Sequence, residues 1–387
     1  MKPFHFVTGS VFPDLKNRLF LWSFLIMVSL ICGAYFVGYS FTAKEYKQRL
    51  ARWGLIYTKP SACERQCWPT GSEPLPEGIV AKTSDLEMRP LWDSGIKSRI
   101  SKRPLNLLAI AVGVKQKEIV NRIVEKFPPS DFVVMLFHYD GFLDGWKNLA
   151  WSNHAIHVSA INQTKWWFAK RFLHPDIVAV YNYIFLWDED LLVDNFDPKR
   201  YLSIVKEEGL EISQPALDPG KSEVHHPVTV RQTGSKVHRR YYKFKGSGRC
   251  DDHSTAPPCI GWVEMMAPVF SKKSWQCVWH LIQNDLIHSW GLDRQLGYCA
   301  QGDRMRNVGV VDSEYIVHLG LPTLGGSNGN EAPSNSSDRD SDRPKVRMQS
   351  YNEMKVFEKR WREAAKMDKC WIDPYQQQQQ QLNQTSL

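Results

Sequence analysis

Residues 183–192 read YIFLWDEDLL: an apolar run of strand length ends in three carboxylates, and apolar residues resume at once. In an open α/β sheet, ligands bind just beyond the carboxyl ends of the strands. Asp188 and Asp190 stand two positions apart, so both can turn toward one hard divalent cation, which prefers oxygen ligands. Such a Mg²⁺ or Mn²⁺ ion would bridge the phosphates of a nucleotide substrate. The alternative is an acidic loop that only meets solvent.

The chain before this stretch alternates between strand and helix patterns. Apolar runs of strand length occupy residues 105–112, 132–139 and 155–161, and one-sided apolar faces mark helices at residues 119–127 and within 166–181. Strand–helix steps that lead to an acidic strand end predict a mostly parallel sheet with helices on both faces. The predicted fold class is therefore α/β, of the Rossmann-like kind.

The second half of the chain is less regular. Its pattern predicts a helix at 198–209, a long polar and basic loop or lid at 225–259, a strand at 262–270, a helix at 271–287, and short strands at 308–311 and 315–319. In the predicted lid, His225, His226 and His238 could suggest a metal site, but we expect them to be exposed loop residues.

The N-terminus predicts a membrane anchor. Residues 19–41 are 23 residues without a charge, and at about 1.5 Å per residue they would cross a bilayer core of about 30 Å. A cleaved signal peptide would have a shorter apolar region, so we expect an uncleaved anchor behind a short tail at 1–18. The Lys and Arg residues that flank the span would, by the positive-inside rule, place the body in the cytoplasm.

Cysteines and glycosylation sequons favour the opposite topology, with the body in the secretory lumen. Cys250 and Cys259 flank a short loop, which suits a disulfide of an oxidising compartment. A zinc site is the competing interpretation, but the cysteine spacings fit no common zinc-finger pattern. Asn162 and Asn335 begin sequons, as does Asn383, and we expect glycans on the first two.

Composition sets the remaining boundaries. Residues 42–103 are rich in Pro, Gly and Ser and are predicted to form a stem ahead of a globular body at 104–325. A polar linker at 326–350, predicted to be disordered, a helix at 351–373 and a Gln-rich disordered tail at 374–387 follow.

Composition also bounds the partners. The chain has 387 residues, of which 43% are hydrophobic, enough for a full core, and a formal net charge of +8. Its Lys and Arg residues are scattered and accompany no nucleic-acid motif, so we expect no nucleic-acid partner. Phosphate-bearing small molecules are more compatible with this pattern. Lys165 could meet a diphosphate, although a lysine on a helix surface usually meets only water.

The order of these features resembles a glycosyltransferase of the GT-A type, over roughly residues 105 to 325. Such enzymes are typically anchored in the Golgi membrane, and they carry a stem, a nucleotide-sugar-binding α/β half and a DxD metal motif. Residues 188–190 match that motif, residues 290–293 (WGLD) resemble an acidic helix start near the acceptor site, and residues 315–320 (YIVHLG) fit the place of a late histidine.

The resemblance implies a site and a location. Asp188, Asp190 and His318 would hold Mn²⁺ or Mg²⁺, the donor would be a nucleotide sugar, and the acceptor a glycan or glycoprotein. The expected topology is single-pass type II in the Golgi membrane with a lumenal body, the endoplasmic reticulum and plasma membrane being alternatives. The chain also resembles a plant family catalogued as a domain of unknown function, whose members are labelled storage-protein-like or lysine-ketoglutarate-reductase trans-splicing related.

Two carboxylates compete for the role of general base. Asp293 is the first candidate, and its alternative role is to cap a helix after Gly291. Glu264 is the second, with Trp262 available to stack on an acceptor sugar. Glu189 should point away from its two neighbours, because side chains alternate along an extended chain. Its expected partner is a sugar hydroxyl, a structural base or solvent.

A nucleotide-binding role is weaker for the end of the second predicted strand. His138 and Asp140 lie where a nucleoside base or ribose would sit, or they belong to an ordinary turn with a satisfied aspartate. Two functions therefore remain open. One is a metal-dependent glycosyltransferase, and the other is a non-catalytic anchored protein that binds carbohydrate or acts as a scaffold.

Overall fold

The computed structural model describes residues 69–81, 105–245, 249–321 and 342–376, with scattered positions between 22 and 32. Most of the predicted membrane span and the sequon at Asn335 lie outside the described residues. Among the residues that are described, no helix is both long and apolar enough to cross a membrane. The chain divides into two compact units, residues 1–65 and 66–387, and the second contains the fold described below.

The first half of the body is a parallel α/β unit. It contains β1 (Leu105–Val112), α1 (Lys117–Lys126), β2 (Phe132–His138), β3 (Ile156–Ser159), α2 (Lys165–Phe172) and β4 (Tyr181–Trp187). Parallel pairing in the order β3-β2-β1-β4 confirms the strand prediction for this half. Single 3₁₀ turns, and no α-helix, connect β2 to β3.

The second half adds antiparallel strands. It contains β5 (Leu191–Leu192), α3 (Pro198–Glu207), β6 (Ile212–Leu217), β7 (Val237–His238), β8 (Val269–Ser271), α4 (Lys272–Leu281), α5 (Asp293–Leu296), β9 (Val308–His318) and α6 (Asp342–Met367). The sheet order is β3-β2-β1-β4-β8-β6-β9-β5, with β7 paired to β9.

The expectation of a mostly parallel sheet is wrong for this second half, and the sheet is mixed. β8 runs antiparallel to both β4 and β6, and β5 and β7 run antiparallel to β9. Among the described strands of that half, only β6 and β9 pair in parallel. An apolar run of three residues carries no information about strand direction, which is set by the partners that supply its hydrogen bonds.

Several element boundaries also differ from the sequence prediction. The strand expected at 262–270 is reduced to β8, and the two strands expected at 308–311 and 315–319 are one strand, β9. Helix α6 starts at Asp342, inside the segment expected to be disordered. Residues 69–81 were expected to belong to the stem, but Leu75 and Ile79 are buried in the core.

Helices cover both faces of the sheet, as predicted. On one face, α2, α4 and α6 pack over side chains such as Leu107 and Leu186. On the other, α1 and α3 pack over the alternate residues, among them Leu108 and Phe185. Successive side chains of β1 and β4 thus enter opposite core layers, because strand side chains alternate between faces.

Two disulfides between described residues brace the second half. Cys250–Cys259 confirms the predicted short-loop disulfide, and Cys277–Cys299 joins α4 to the turn after α5. The second pairing was not foreseen, because disulfide connectivity does not follow from spacing alone.

Candidate functional site

The acidic cluster lies at the carboxyl end of β4, beside the ends of β1 and β2. The Asp188 amide donates a hydrogen bond of 2.8 Å to the Met266 carbonyl, which ties the cluster to the segment before β8. The Asp188 side chain is 35% exposed, whereas Glu189 and Asp190 are buried at 1% and 3%. Asp188 is therefore open to solvent, whereas Glu189 and Asp190 are enclosed by the protein.

Glu189 points inward and joins three strand ends. One carboxylate oxygen accepts a hydrogen bond of 2.7 Å from the Gly113 amide after β1, and the other accepts one of 2.5 Å from the Tyr139 hydroxyl after β2. Burial raises the pKa of Glu189 to about 8, and the two hydrogen bonds oppose that shift. Of the roles expected from the sequence, these contacts correspond to a structural one.

Asp190 faces His318, the last residue of β9. Nε2 of His318 lies 3.6 Å from Oδ2 of Asp190, which also accepts a 2.8 Å hydrogen bond from the Leu321 amide. Nδ1 of His318 lies 2.9 Å from the Glu223 carbonyl oxygen, which can only accept, so Nδ1 carries the proton. In the neutral ring, Nε2 then carries a lone pair that faces Asp190. This is the tautomer in which a histidine can bind a metal ion through Nε2.

Asp188 is held by a buried lysine. Nζ of Lys165, the first residue of α2, lies 2.6 Å from Oδ1 of Asp188. The same ammonium donates to the carbonyl oxygens of Met265 at 2.6 Å and Met266 at 3.1 Å. Burial lowers the pKa of Lys165, and the charges of Asp188, Asp190 and Glu264 oppose that shift. The helix-surface lysine of the sequence prediction is thus an internal residue of the site.

The donor set suits a divalent cation in part. Among the described residues, no three His, Cys, Asp or Glu side chains form a ready metal-holding group. Asp190 and the Nε2 lone pair of His318 supply two adjacent ligands of the right chemistry. Asp188 is the third candidate ligand, but its Oδ1 is paired with the Lys165 ammonium.

Glu264 is a buried carboxylate with an unsatisfied oxygen. Its side chain is 8% exposed and its Oε2 has no hydrogen-bond partner among the described residues. The pKa of Glu264 is raised to about 8, mainly by burial and to a smaller extent by repulsion from Asp293 and Asp188. The charge of Lys165 and a hydrogen bond with Thr229 oppose the shift. These electrostatic contacts show that Glu264 and Asp293 belong to one acidic region.

Asp293 opens α5, as the sequence indicated. Leu292 occupies the N-cap position, and Oδ1 of Asp293 accepts a 3.1 Å hydrogen bond from the next amide, that of Arg294. Burial raises the pKa of Asp293 to about 6, against the charge of Arg294. Arg294 in turn pairs with Glu358 of α6, so the C-terminal helix fixes the start of α5.

Two histidines of the predicted lid face this region. The His225 ring lies 5.6 Å from that of His318, and the His226 ring lies 4.7 Å from that of Trp262. Both histidines are exposed, as the sequence predicted, but their proximity to the site was missed. The same prediction is wrong for His238, which is buried beside Asp312. No local pattern signals such contacts, because they join residues that lie far apart in the sequence. Trp262 is 4% exposed and therefore offers little free surface for a sugar.

His138 and Asp140 have protein partners. His138 is fully buried, and its Nε2 lies 2.8 Å from Nδ1 of His157. Asp140 accepts hydrogen bonds from the amides of Val114 at 2.6 Å and Phe142 at 3.0 Å. A nucleotide-binding role for this pair stays a prediction. Only Asp140 has exposed surface for it.

Asn162 lies on an exposed turn after β3, with a φ of 56°. The Thr164 hydroxyl of its sequon donates a hydrogen bond to the Ile287 carbonyl. The side chain of Asn162 is accessible, and glycosylation there stays a prediction.

Comparison with solved structures finds distant likeness to glycosyltransferases. The chain is 9% identical to S. aureus TarS 1-349, over 55% of this chain and 59% of that one, with a TM-score of 0.36. The same protein in complex with UDP gives 9% identity over the same shares and a TM-score of 0.35. The mannosyltransferase Ktr4p from S. cerevisiae is 12% identical over 38% of this chain and 48% of that one, with a TM-score of 0.21. The chain thus spans less than two thirds of the length of these structures.

Sequence comparison places the chain in a family. No functionally curated protein matches it. The model of the family described as "Protein of unknown function (DUF707)" matches residues 66–367. Because that match covers well over half of the chain, from before β1 to the end of α6, the chain belongs to the DUF707 family.

Proposed function

We propose that the chain is a metal-dependent glycosyltransferase that moves a sugar from a nucleotide-sugar donor to a hydroxyl of a glycan or glycoprotein acceptor. One observation carries this proposal. Asp188, Asp190, Glu264 and His318 converge from β4, β9 and the segment before β8 at the carboxyl ends of the parallel strands. Ligands of open α/β sheets bind at that edge.

Donor binding belongs to the part of the site around Asp190 and His318. These side chains, with Asp188, would hold Mn²⁺ or Mg²⁺. A bound divalent cation would neutralise the negative charge that grows on the departing nucleoside diphosphate. Leu321 and Glu223 fix the two ligands through the hydrogen bonds to Asp190 and His318. The chain's own contribution is therefore a pre-oriented carboxylate and imidazole.

The pKa values separate the two candidate bases. Asp293, with a pKa raised to about 6, is mostly ionised at neutral pH and can accept the proton of an acceptor hydroxyl. Glu264, with a pKa raised to about 8, mostly keeps its proton and can donate a hydrogen bond to a sugar hydroxyl. Asp293 is therefore our general base, and Glu264 orients the substrate.

The proposed location is the lumen of the Golgi, with a type II anchor. Two disulfides support an oxidising compartment, because disulfides are rare in the reducing cytosol. The expected signature is a loss of apparent mass on glycosidase treatment, abolished by Asn162→Gln with Asn335→Gln. An unchanged mobility of the natural chain would argue against glycosylation of these sequons.

The test of function uses the purified full-length chain and a panel of nucleotide sugars with Mn²⁺. We expect Asp188→Asn with Asp190→Asn to abolish Mn²⁺-dependent donor binding and transfer. Asp194→Asn is the matched control, because Asp194 is a nearby exposed carboxylate paired with Arg122. Transfer that survives the double substitution would refute the metal mechanism. Binding of glycans without any nucleotide sugar would favour the non-catalytic alternative.

A further inference from the structure

Lys165 occupies a position at which an acidic site would otherwise need an external cation. Its side chain is 9% exposed, and its ammonium lies 2.6 Å from Oδ1 of Asp188. The carbonyl oxygens of Met265 and Met266 take its two other protons, at 2.6 and 3.1 Å. One carboxylate and two carbonyl oxygens are also a donor set that hard metal ions use.

The lysine interacts with most of the acidic region. The negative charges of Asp188 and Asp190 both act on its ammonium. Buried carboxylates without a counter-charge are costly, so a fixed cation at this point stabilises the free protein. A divalent ion that approached Asp188 would meet a positive charge only one hydrogen bond away.

We propose that Lys165 is the built-in cation of this site: it holds Asp188 in the free protein, and a divalent cation must displace it from Asp188 to bind there. This inference rests on the proposed metal-dependent donor site and adds a competition within it. Once released from Asp188, the ammonium is close to the cation site and can pair with a phosphate oxygen of the donor, because lysine binds phosphate as a compact point charge.

The first test measures Mn²⁺ binding to the full-length chain by titration calorimetry. Replacing Lys165 with Met removes the competing charge, so we expect Mn²⁺ to bind about tenfold tighter or more. Lys165→Arg keeps the charge and is expected to bind Mn²⁺ no tighter than the natural chain. Lys147→Met is the matched control, because Lys147 also pairs with a carboxylate at 2.6 Å but is exposed. We expect no change from it.

The second test needs no substitution and covers the case in which Lys165→Met does not fold. An amine-acylating reagent is applied to the natural full-length chain, and modification of Lys165 is quantified by mass spectrometry. We expect Mn²⁺ to speed this modification several-fold and to leave that of Lys147 unchanged.

The outcomes separate this inference from the proposed function. If the natural chain binds Mn²⁺ but neither Lys165→Met nor acylation shows the expected change, the inference is wrong and the metal site stands. If Lys165→Met binds Mn²⁺ and the natural chain does not, the competition by Lys165 is supported. The proposal that the natural chain is a metal-dependent enzyme is then refuted. If no form of the chain binds Mn²⁺, both are refuted.

Discussion

The Tyr139 hydroxyl donates a hydrogen bond to Glu189 over 2.5 Å, which joins the end of β2 to the acidic cluster at the end of β4. The Gly113 amide donates to the other oxygen of the same carboxylate, so the end of β1 is included. A β-carbon at Gly113 would overlap the Tyr139 ring. Glycine is therefore required for the close approach of these three strand ends.

Tyr139→Phe is expected to lower the free energy of unfolding by about 1–3 kcal/mol, because Glu189 would remain buried with one of its two donors removed. Urea unfolding of the full-length chain measures the effect. Tyr351→Phe is the control, since Tyr351 is exposed on α6. Equal stability of the two variants would mean that the short contact contributes nothing.

Glu264→Gln is expected to change how stability depends on pH. Burial raises the pKa of Glu264 from 4.5 to about 8, so the folded chain holds a proton that the unfolded chain releases. Its contribution is full below about pH 4.5 and falls as the pH rises through about 8, by roughly 5 kcal/mol in all.

The amide has no proton to lose, so the variant should gain stability relative to the natural chain between pH 5 and pH 8. Thermal unfolding at a series of pH values follows this difference. Glu125→Gln, at an exposed position, should leave the profile parallel to that of the natural chain. Identical profiles for Glu264→Gln and the natural chain would disprove the raised pKa.

Asp293→Asn is expected to reduce sugar transfer by about 10²–10⁴-fold, the usual contribution of a general base. In the natural chain, kcat/KM should fall as the pH drops through about 6, because Asp293 must be ionised to accept a proton. Asp144→Asn, on an exposed turn, is the control. If Asp293→Asn keeps the same fall in kcat/KM at low pH, that pH dependence belongs to another group.

Loss of the disulfide Cys277–Cys299 should cost more than loss of Cys250–Cys259. The sequence separations are 22 and 9, so loop entropy alone gives about 3–4 and about 2–3 kcal/mol. Double Cys→Ala variants, compared by urea unfolding, measure the two costs. The reverse order would show that strain or packing, and not loop length, controls them.

Helix α6 is expected to be required for folding, although the sequence placed the end of the globular body at 325. Phe357 and Trp361 of α6, and Tyr375 beyond its end, are buried in the core layer that also holds α4. Trp361→Ala should therefore cost about 3–5 kcal/mol, and a chain truncated after residue 325 should not unfold cooperatively. Met348→Ala, at an exposed position on the same helix, should change little. A stable truncated chain would contradict this assignment.

Local patterns predicted much of the first half of the fold. Each of β1, β2 and β4 is a continuous apolar run, and the strand–helix steps from β1 to β2 and from β3 to β4 indicate parallel strands. The direction of β8 and the start of α6 could not be predicted in the same way. β8 takes its direction from β4 and β6, and α6 starts among polar residues whose helical state depends on burial of the residues that follow.

The sequence by itself determined that β4 ends in Asp188, Glu189 and Asp190 and that Asp293 opens a helix, because strand ends and helix starts are local features. Only the tertiary structure decided what these carboxylates contact. Lys165 contacts Asp188 from the start of α2, and His318 contacts Asp190 from the end of β9. Tyr139 contacts Glu189 from the end of β2. Those pairings depend on which elements pack together, and burial then sets the charge of each group.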